Sequence, residues 1–270
     1  MNWSSLIRFS IATLLAAVFA AAPHPSHAEG AGRPTEPAAK TREEQLFSAI
    51  EAGDAPRVSE LLAASPELIR AHHAGMSVVT AALFVRRSGF LFTPPDQNSV
   101  LAAVLARKPV LDLLEAAATG DLGRMRQLLR KHPTSARAWD PRGWTALHMA
   151  AFGGSARAVE LLLARGADVH ARTKTRFLLT PLLAALLNAQ YATSKLLLER
   201  GANAHDKQVN GGTALHEAAF ICRRDLVELL LAHGAELNAR SNEGRTPLSE
   251  ARRGKCDDVA AWLVTRGALE

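Results

Sequence analysis

A four-residue phrase returns through the second half of this 270-residue chain at a nearly fixed step. It reads Thr145-Ala146-Leu147-His148, Thr180-Pro181-Leu182-Leu183, Thr213-Ala214-Leu215-His216 and Thr246-Pro247-Leu248-Ser249. The threonines stand 35, 33 and 33 residues apart. A second phrase keeps the same step: Gly166-Ala167-Asp168, Gly201-Ala202-Asn203, Gly234-Ala235-Glu236 and Gly267-Ala268. Two independent markers in one register imply stacked supersecondary units, so the expected architecture is a solenoid. A solenoid offers a binding surface in place of a catalytic pocket.

Composition agrees with thin helices. Hydrophobic residues make up 48% of the chain but aromatic residues only 5%, so the apolar mass is mostly Ala and Leu. That mix favours closely packed helices over sheets built on β-branched and aromatic side chains. Each unit shows one plan. A glycine stands two residues before the threonine at Gly143, Gly211 and Gly244, and a short helix begins at the threonine. A second turn falls at Gly154, Ala189, Cys222 and Lys255. A longer helix then runs through Val159–Leu163, Lys195–Leu198 or Leu226–Leu230, with leucines at i, i+3 and i+4 on one face. Glycine stops it, as a left-handed C-terminal residue should.

These phrases resemble the ankyrin repeat. Asp140 to Ala151 is similar to its turn and first helix, and Leu162 to Ala171 to its second half. The resemblance is strong from Leu111 to Glu270 and implies an all-α solenoid of helix-turn-helix units with short connecting hairpin turns. It continues more weakly upstream, where Phe47–Asp54 with Val58–Leu62, and Leu114–Asp121 with Met125–Leu129, look like repeats without the threonine turn. Gly53 and Gly120 are 67 residues apart, close to two periods, so a divergent repeat is expected between about Gly75 and Val110. Its helices are expected at Ser77 to Arg86 and Ser99 to Arg107. The total is about seven repeats, divergent over 41–110 and clearer over 111–270. A polar short helix carrying Ser249, Glu250, Arg252, Arg253 and Lys255 suits a terminal repeat.

Residues 1–28 read as a secretory signal. Arg8 ends the n-region, an uncharged run follows from Phe9 to Ala22, and Ser26-His27-Ala28 fits cleavage after Ala28. The apolar run falls short of the roughly 18–20 residues that span a bilayer, and an uncleaved anchor is the alternative. Residues 29–40, rich in Gly, Pro, Ala and Thr, read as a flexible linker. The expected location is periplasmic or secreted, in a Gram-negative cell, with no integral membrane segment after cleavage.

The formal charge is +6, which raises nucleic acid as a partner. Basic and acidic residues interleave through the sequence, and an exported protein rarely meets its genome, so no nucleic-acid partner is expected. Acidic protein faces or anionic head groups would suit a basic surface. The cysteines Cys222 and Cys256 fall near the same inter-helix turn of neighbouring repeats. A disulfide needs α-carbons about 4.4–6.8 Å apart. Stack spacing is larger and weighs against a bridge, whereas an oxidising compartment weighs for one.

No Walker-type loop, dinucleotide fingerprint, Gly-x-Ser-x-Gly or His-Glu-x-x-His occurs, so no enzyme and no cofactor or metal is expected. In ankyrin repeats the motif histidine, here His148 and His216, hydrogen-bonds neighbouring backbone and stitches turns together. His170, His205 and the pair His72-His73 lack a ligand set. The family binds partner proteins through turn tips and the exposed face of the short helices. Carried over, the resemblance implies tip residues Pro141, Arg142 and Trp144; Arg176, Phe177 and Leu179; Val209 and Asn210; and Asn242, Glu243 and Arg245. On the short helices it implies Phe152 with Gly153, Leu187 with Asn188, Phe220 with Ile221, and Arg253 with Gly254. Phe, Leu and Phe at one position of successive repeats suggest an aromatic stripe edged by arginine that takes an unidentified protein. Packing of these side chains on one another, or under the longer turn from Thr173 to Leu179, is the alternative. The expected function is an exported interaction module that modulates or stabilises a partner. The alternatives are a secreted effector acting on host proteins and a small-molecule or enzymatic role at the loop Ser88 to Asp96.

Overall fold

The computed structural model describes residues 41–87, 91–92 and 98–270. The expected signal segment, its cleavage point, the linker and most of the loop 88–96 lie outside them. The chain divides into two compact units, residues 1–110 and 111–270.

In the first unit, α1 (Arg42–Glu51) and α2 (Ala55–Ala64) form an antiparallel pair. Thr41 caps α1 reciprocally with Glu44, and Asp54 caps α2 through the Arg57 amide at 3.0 Å. These side chains satisfy amide donors that the first helical turn leaves unpaired. Leu46, Phe47, Ile50, Val58 and Leu62 form the shared apolar face. The divergent repeat follows as α3 (Val78–Leu83) and α4 (Ser99–Leu105), capped by Ser77 and Asn98. The helix expected to reach Arg86 stops three residues earlier. Arg86–Arg87 (β3) instead pairs antiparallel with Leu91–Phe92 (β4), and His72–His73 (β1) pairs with Met76–Ser77 (β2). The unit is thus helical with two short hairpins. Asn98 joins its helices by donating to the Ala82 carbonyl at 2.7 Å.

The second unit holds five helical pairs. They are α5 (Leu113–Thr119) with α6 (Leu122–Lys131), α7 (Ala146–Gly153) with α8 (Ala156–Ala164), and α9 (Pro181–Leu187) with α10 (Tyr191–Glu199). The last two are α11 (Ala214–Phe220) with α12 (Arg224–Ala232) and α13 (Pro247–Arg253) with α14 (Asp257–Thr265). With the two pairs upstream this makes seven among the described residues, as the spacing predicts. Short helices pack on short helices of the next repeat and long on long. The threonines at 145, 180, 213 and 246 are the N-cap residues of the short helices. Each long helix buries one leucine stripe, such as Val159 and Leu162 or Leu226 and Leu230. No helix of the described residues is long and apolar enough to cross a membrane.

The repeats approach so closely that a side chain at two positions would collide with backbone. A Cβ on Gly153 would meet the Ala118 carbonyl, and one on Gly254 the Phe220 carbonyl. The inter-helix turn needs a left-handed residue, and Gly154 supplies it at φ 78°. Ala189 and Cys222 take the same conformation one and two repeats later, at φ 52° and 59°.

Cys222 and Cys256 are bridged, with α-carbons 5.0 Å apart. The stack spacing argument against a disulfide is therefore corrected. Cys222 aligns with Lys255, so Cys256 is displaced by one residue, at the N-cap of α14. Cys256 also points at the Phe220 carbonyl, 3.4 Å away. The closed loop spans a sequence separation of 34, for which chain entropy gives about 4 kcal/mol of stabilisation. Reduction, or Cys222→Ser with Cys256→Ser, is expected to lower the melting temperature and speed amide exchange in α13 and α14. An unchanged melting temperature, with two free thiols in unreduced denatured protein, would contradict the bridge.

Candidate functional site

The motif histidines do what their position requires. His148 is fully buried, its Nδ1 is 2.7 Å from Thr145 Oγ1, and its Nε2 is 2.9 Å from the Leu179 carbonyl of the next repeat. His216 repeats this, with Nδ1 2.9 Å from Thr213 Oγ1 and Nε2 2.9 Å from the Arg245 carbonyl. Nε2 donates to the carbonyl while Nδ1 accepts from the threonine amide, and burial pushes both rings below the usual histidine range. Ser249 keeps the capping contact with Thr246 but reaches no next repeat. There the Thr246 hydroxyl donates to the Leu269 carbonyl instead, at 2.8 Å.

The expected aromatic stripe is interior. Trp144 and Phe152 are each 1% exposed, Leu187 2%, Leu179 0%, and Phe177 and Phe220 7%. Trp144 meets the His148 ring edge-on at 5.9 Å. From Thr173 to Leu179 alternate residues are buried, which takes Phe177 and Leu179 inward and leaves Arg176 and Leu178 outside. Phe152, Leu187 and Phe220 end short helices that the next repeat presses against. Asn188 Nδ2 donates to the Phe152 carbonyl at 3.1 Å, and the Arg253 guanidinium lies over the Phe220 ring at 4.3 Å. The exposed stripe is thus corrected to a core row, and the packing alternative describes it. Ile221 is half-buried.

The arginines expected at the interface are already engaged. Arg142 pairs with Asp140 at 2.7 Å, Arg245 with Glu243 and Glu250, and Arg253 with Glu250. Glu250 thereby holds two guanidiniums while the neighbouring Glu217, 8% exposed, does not join them. Burial, and then the Glu250 carboxylate, push Glu217 up to about 7, against a smaller pull from Arg253.

A different row faces outward. Six residues before each motif threonine stand Trp139, Lys174, Lys207 and Arg240, all exposed. The Lys174 ammonium lies 4.5 Å from the centre of the Trp139 ring. Leu178 and Val209 stand beside the row at 42% and 56% exposure, and Trp139 itself is 40% exposed. Backbone ties fix this hairpin edge. Lys174 N–H donates to the Gly143 carbonyl at 2.8 Å and Asn242 N–H to the Asn210 carbonyl at 2.9 Å. Trp139 Nε1 donates to the Arg172 carbonyl, and Arg172 donates to the Lys207 carbonyl and Asp206. The signal is present in the sequence as a fixed offset from the threonine, two positions before the first tip residue of each repeat that the resemblance supplies.

His170 and His205 sit exposed in equivalent turns, their amides donating to Asp168 and Asn203 at 2.9 Å. His73 stacks at 5.2 Å on Phe47. Among the described residues no group of three His, Cys, Asp or Glu is placed to hold a metal. A shallow cleft of about 410 Å³ lies between α12 and α14, lined by Glu228, Leu231, Ala232, Trp262 and Arg266. Its tryptophan is flanked by the guanidiniums of Arg224 and Arg266.

Burial pushes His148 down from 6.5 to about 4, against smaller upward pulls from the Leu179 and Ala171 backbone. An unfolded histidine takes its proton first, so this group's stability is present above about pH 6.5 and lost as pH falls toward 4. Glu217 works the other way. Its folded pKa lies above 4.5, so its contribution is present below that value and lost as pH rises through about 7. Each shift corresponds to an effect on the order of 3 kcal/mol, so the two oppose each other across pH 4–8. Relative to wild type, His148→Ala is expected to cost most stability near pH 8, and Glu217→Gln to lose stability least, or gain it, near pH 8. Denaturant unfolding at pH 5 and pH 8 checks both, and parallel pH profiles for all three proteins would contradict the burial of these side chains.

Comparison with known proteins follows the same residues. The family profile described as ankyrin repeats (3 copies) matches residues 113–208 and 182–269, more than half of the chain. A B-cell lymphoma 3 protein homolog from Mus musculus is 36% identical over 126 residues, 47% of this chain and 28% of the relative. The human B-cell lymphoma 3 protein is 34% identical over 178 residues, 64% of this chain and 36% of its own. A Caenorhabditis elegans homolog of transient receptor potential cation channel subfamily A member 1 is 34% identical over 154 residues, 57% of this chain and 12% of the relative. This chain therefore spans about a third or less of the length of these relatives.

Proposed function

The chain belongs to the ankyrin repeat family, and from that premise we propose that it is an exported interaction module that binds a partner protein along its hairpin edge. The observation that carries this reading is the outward row Trp139, Lys174, Lys207 and Arg240, tied rigidly to the repeats behind it. Rigid presentation lowers the ordering cost of association. The short-helix row is unsuited to the task because its apolar side chains are already consumed in packing.

Export is supported by the residues of the N-terminal segment and by the Cys222–Cys256 bridge, which suits an oxidising compartment. The action on the partner is to hold or stabilise it, with no bond made or broken.

Photocrosslinking amino acids placed at Trp139 and at Lys207 are expected to trap one protein in intact cells, while the same group at Arg157 on α8 traps none. Mass spectrometry of the mature protein is expected to find an N-terminus at Glu29. Equal trapping at Arg157, or none at the hairpin edge, would contradict the binding reading. A mature chain that retains Met1 to Ala28 would contradict export by a cleaved signal.

A further inference from the structure

The net positive charge of this chain is not spread evenly over the second unit. Its hairpins from 139–145, 172–180, 205–213 and 238–246 carry three acids, Asp140, Asp206 and Glu243. Each is already paired with an arginine of its own or the neighbouring hairpin: Arg142, Arg172 and Arg245. Lys174, Lys207 and Arg240 are in no ion pair with an acidic side chain among the described residues. Arg240 instead donates to the Gly244 and Glu270 backbone oxygens. Lys174 and Lys207 therefore face outward with no acidic side chain to offset them, and Arg240 continues the row one repeat later.

Spacing adds a second constraint. Packed helices lie about 8–10 Å apart, which sets the step from one repeat's cation to the next. An extended segment in the polyproline II form rises about 3.1 Å per residue with three residues per turn, so every third residue lies on one face and advances about 9 Å. The apolar side chains interleaved with the cations, Trp139, Leu178 and Val209, add a demand that a simple polyanion does not meet.

We infer that the hairpin edge takes an extended acidic segment of a protein, with carboxylates at every third residue facing Lys174, Lys207 and Arg240, and an apolar side chain against Trp139. This rests on the reading of the edge as a binding surface and adds the chemistry of what binds there. The carboxylates meet exposed cations, so the attraction weakens with salt. The apolar contact with Trp139 and Val209 does not.

The test uses synthetic peptides on the oxidised full chain. One 12-residue peptide carries glutamate at every third position with Leu and Ala between. A second has the same composition with its glutamates contiguous. Fluorescence anisotropy at 50 mM salt is expected to show the spaced peptide binding at least about tenfold tighter. Lys174→Glu with Lys207→Glu and Arg240→Glu is expected to weaken it by about 30-fold, in line with three exposed ion pairs. An equal-charge control, Lys131→Glu with Arg157→Glu and Arg165→Glu, should leave binding unchanged, and circular dichroism checks that both variants fold. Equal binding of the two peptides, or indifference to the triple reversal, would overturn the inference. So would heparin or phosphatidylglycerol vesicles binding as tightly as the spaced peptide. If the crosslinked partner is retained while the spaced peptide is not recognised, the binding reading stands and its acidic register fails.

Discussion

No repeat in this protein can bury its own apolar face, and everything else follows from that shortage. A hairpin of two helices with one leucine stripe gains its core only when a neighbour closes over it. Val159, Leu162, Leu226 and Leu230 are buried because the adjoining long helix is there. The contact is tight enough that Gly153 and Gly254 have no space for a side chain. His148 and His216 add direction, since each caps its own helix and donates to a carbonyl one repeat away. Register between repeats is thereby fixed by hydrogen bonds, while the energy comes from shared apolar surface.

The same closure decides what is left for function. An aromatic residue at the end of a short helix looks exposed when its repeat is considered alone. Phe152 and Phe220 disappear once the next repeat arrives, helped in the second case by the Arg253 guanidinium. Under the proposed binding role, recognition uses what the stack does not consume, the outer edge of the hairpins. That edge has an exposed tryptophan followed by a cation in each of the next three repeats, and backbone ties that hold it in place. Charges that interleave along the sequence become segregated in space, because the acids fold back onto arginines and the row six residues before each threonine does not.

Much of this was legible from period and capping chemistry. The threonine N-caps, the glycine stops and the leucine faces specify helices within a residue or two, since each depends on local backbone geometry. Burial between repeats was not legible, because it depends on a neighbour's shape and a single-repeat pattern cannot report it. The disulfide stays open in the sequence for a related reason. A mean stacking distance ignores that Cys256 lies one residue past the position aligned with Cys222, where two turns converge to 5.0 Å. The helix after Ser77 is shorter than its sequence suggests because Arg86–Arg87 pair in a hairpin, which carries no helical stop signal in sequence. The family's tip pattern points to Trp144, which is buried, while the exposed tryptophan is Trp139, five residues earlier.

The central claim is that Trp144 is part of the shared core and Trp139 part of the working surface. Tryptophan oxidation with N-bromosuccinimide under native conditions, read peptide by peptide in a mass spectrometer, tests it directly. Trp139 is expected to be modified while Trp144 stays protected until the protein is unfolded. Modification of Trp144 at the same rate as Trp139 in folded protein would contradict the account, because it would return the aromatic row to the surface.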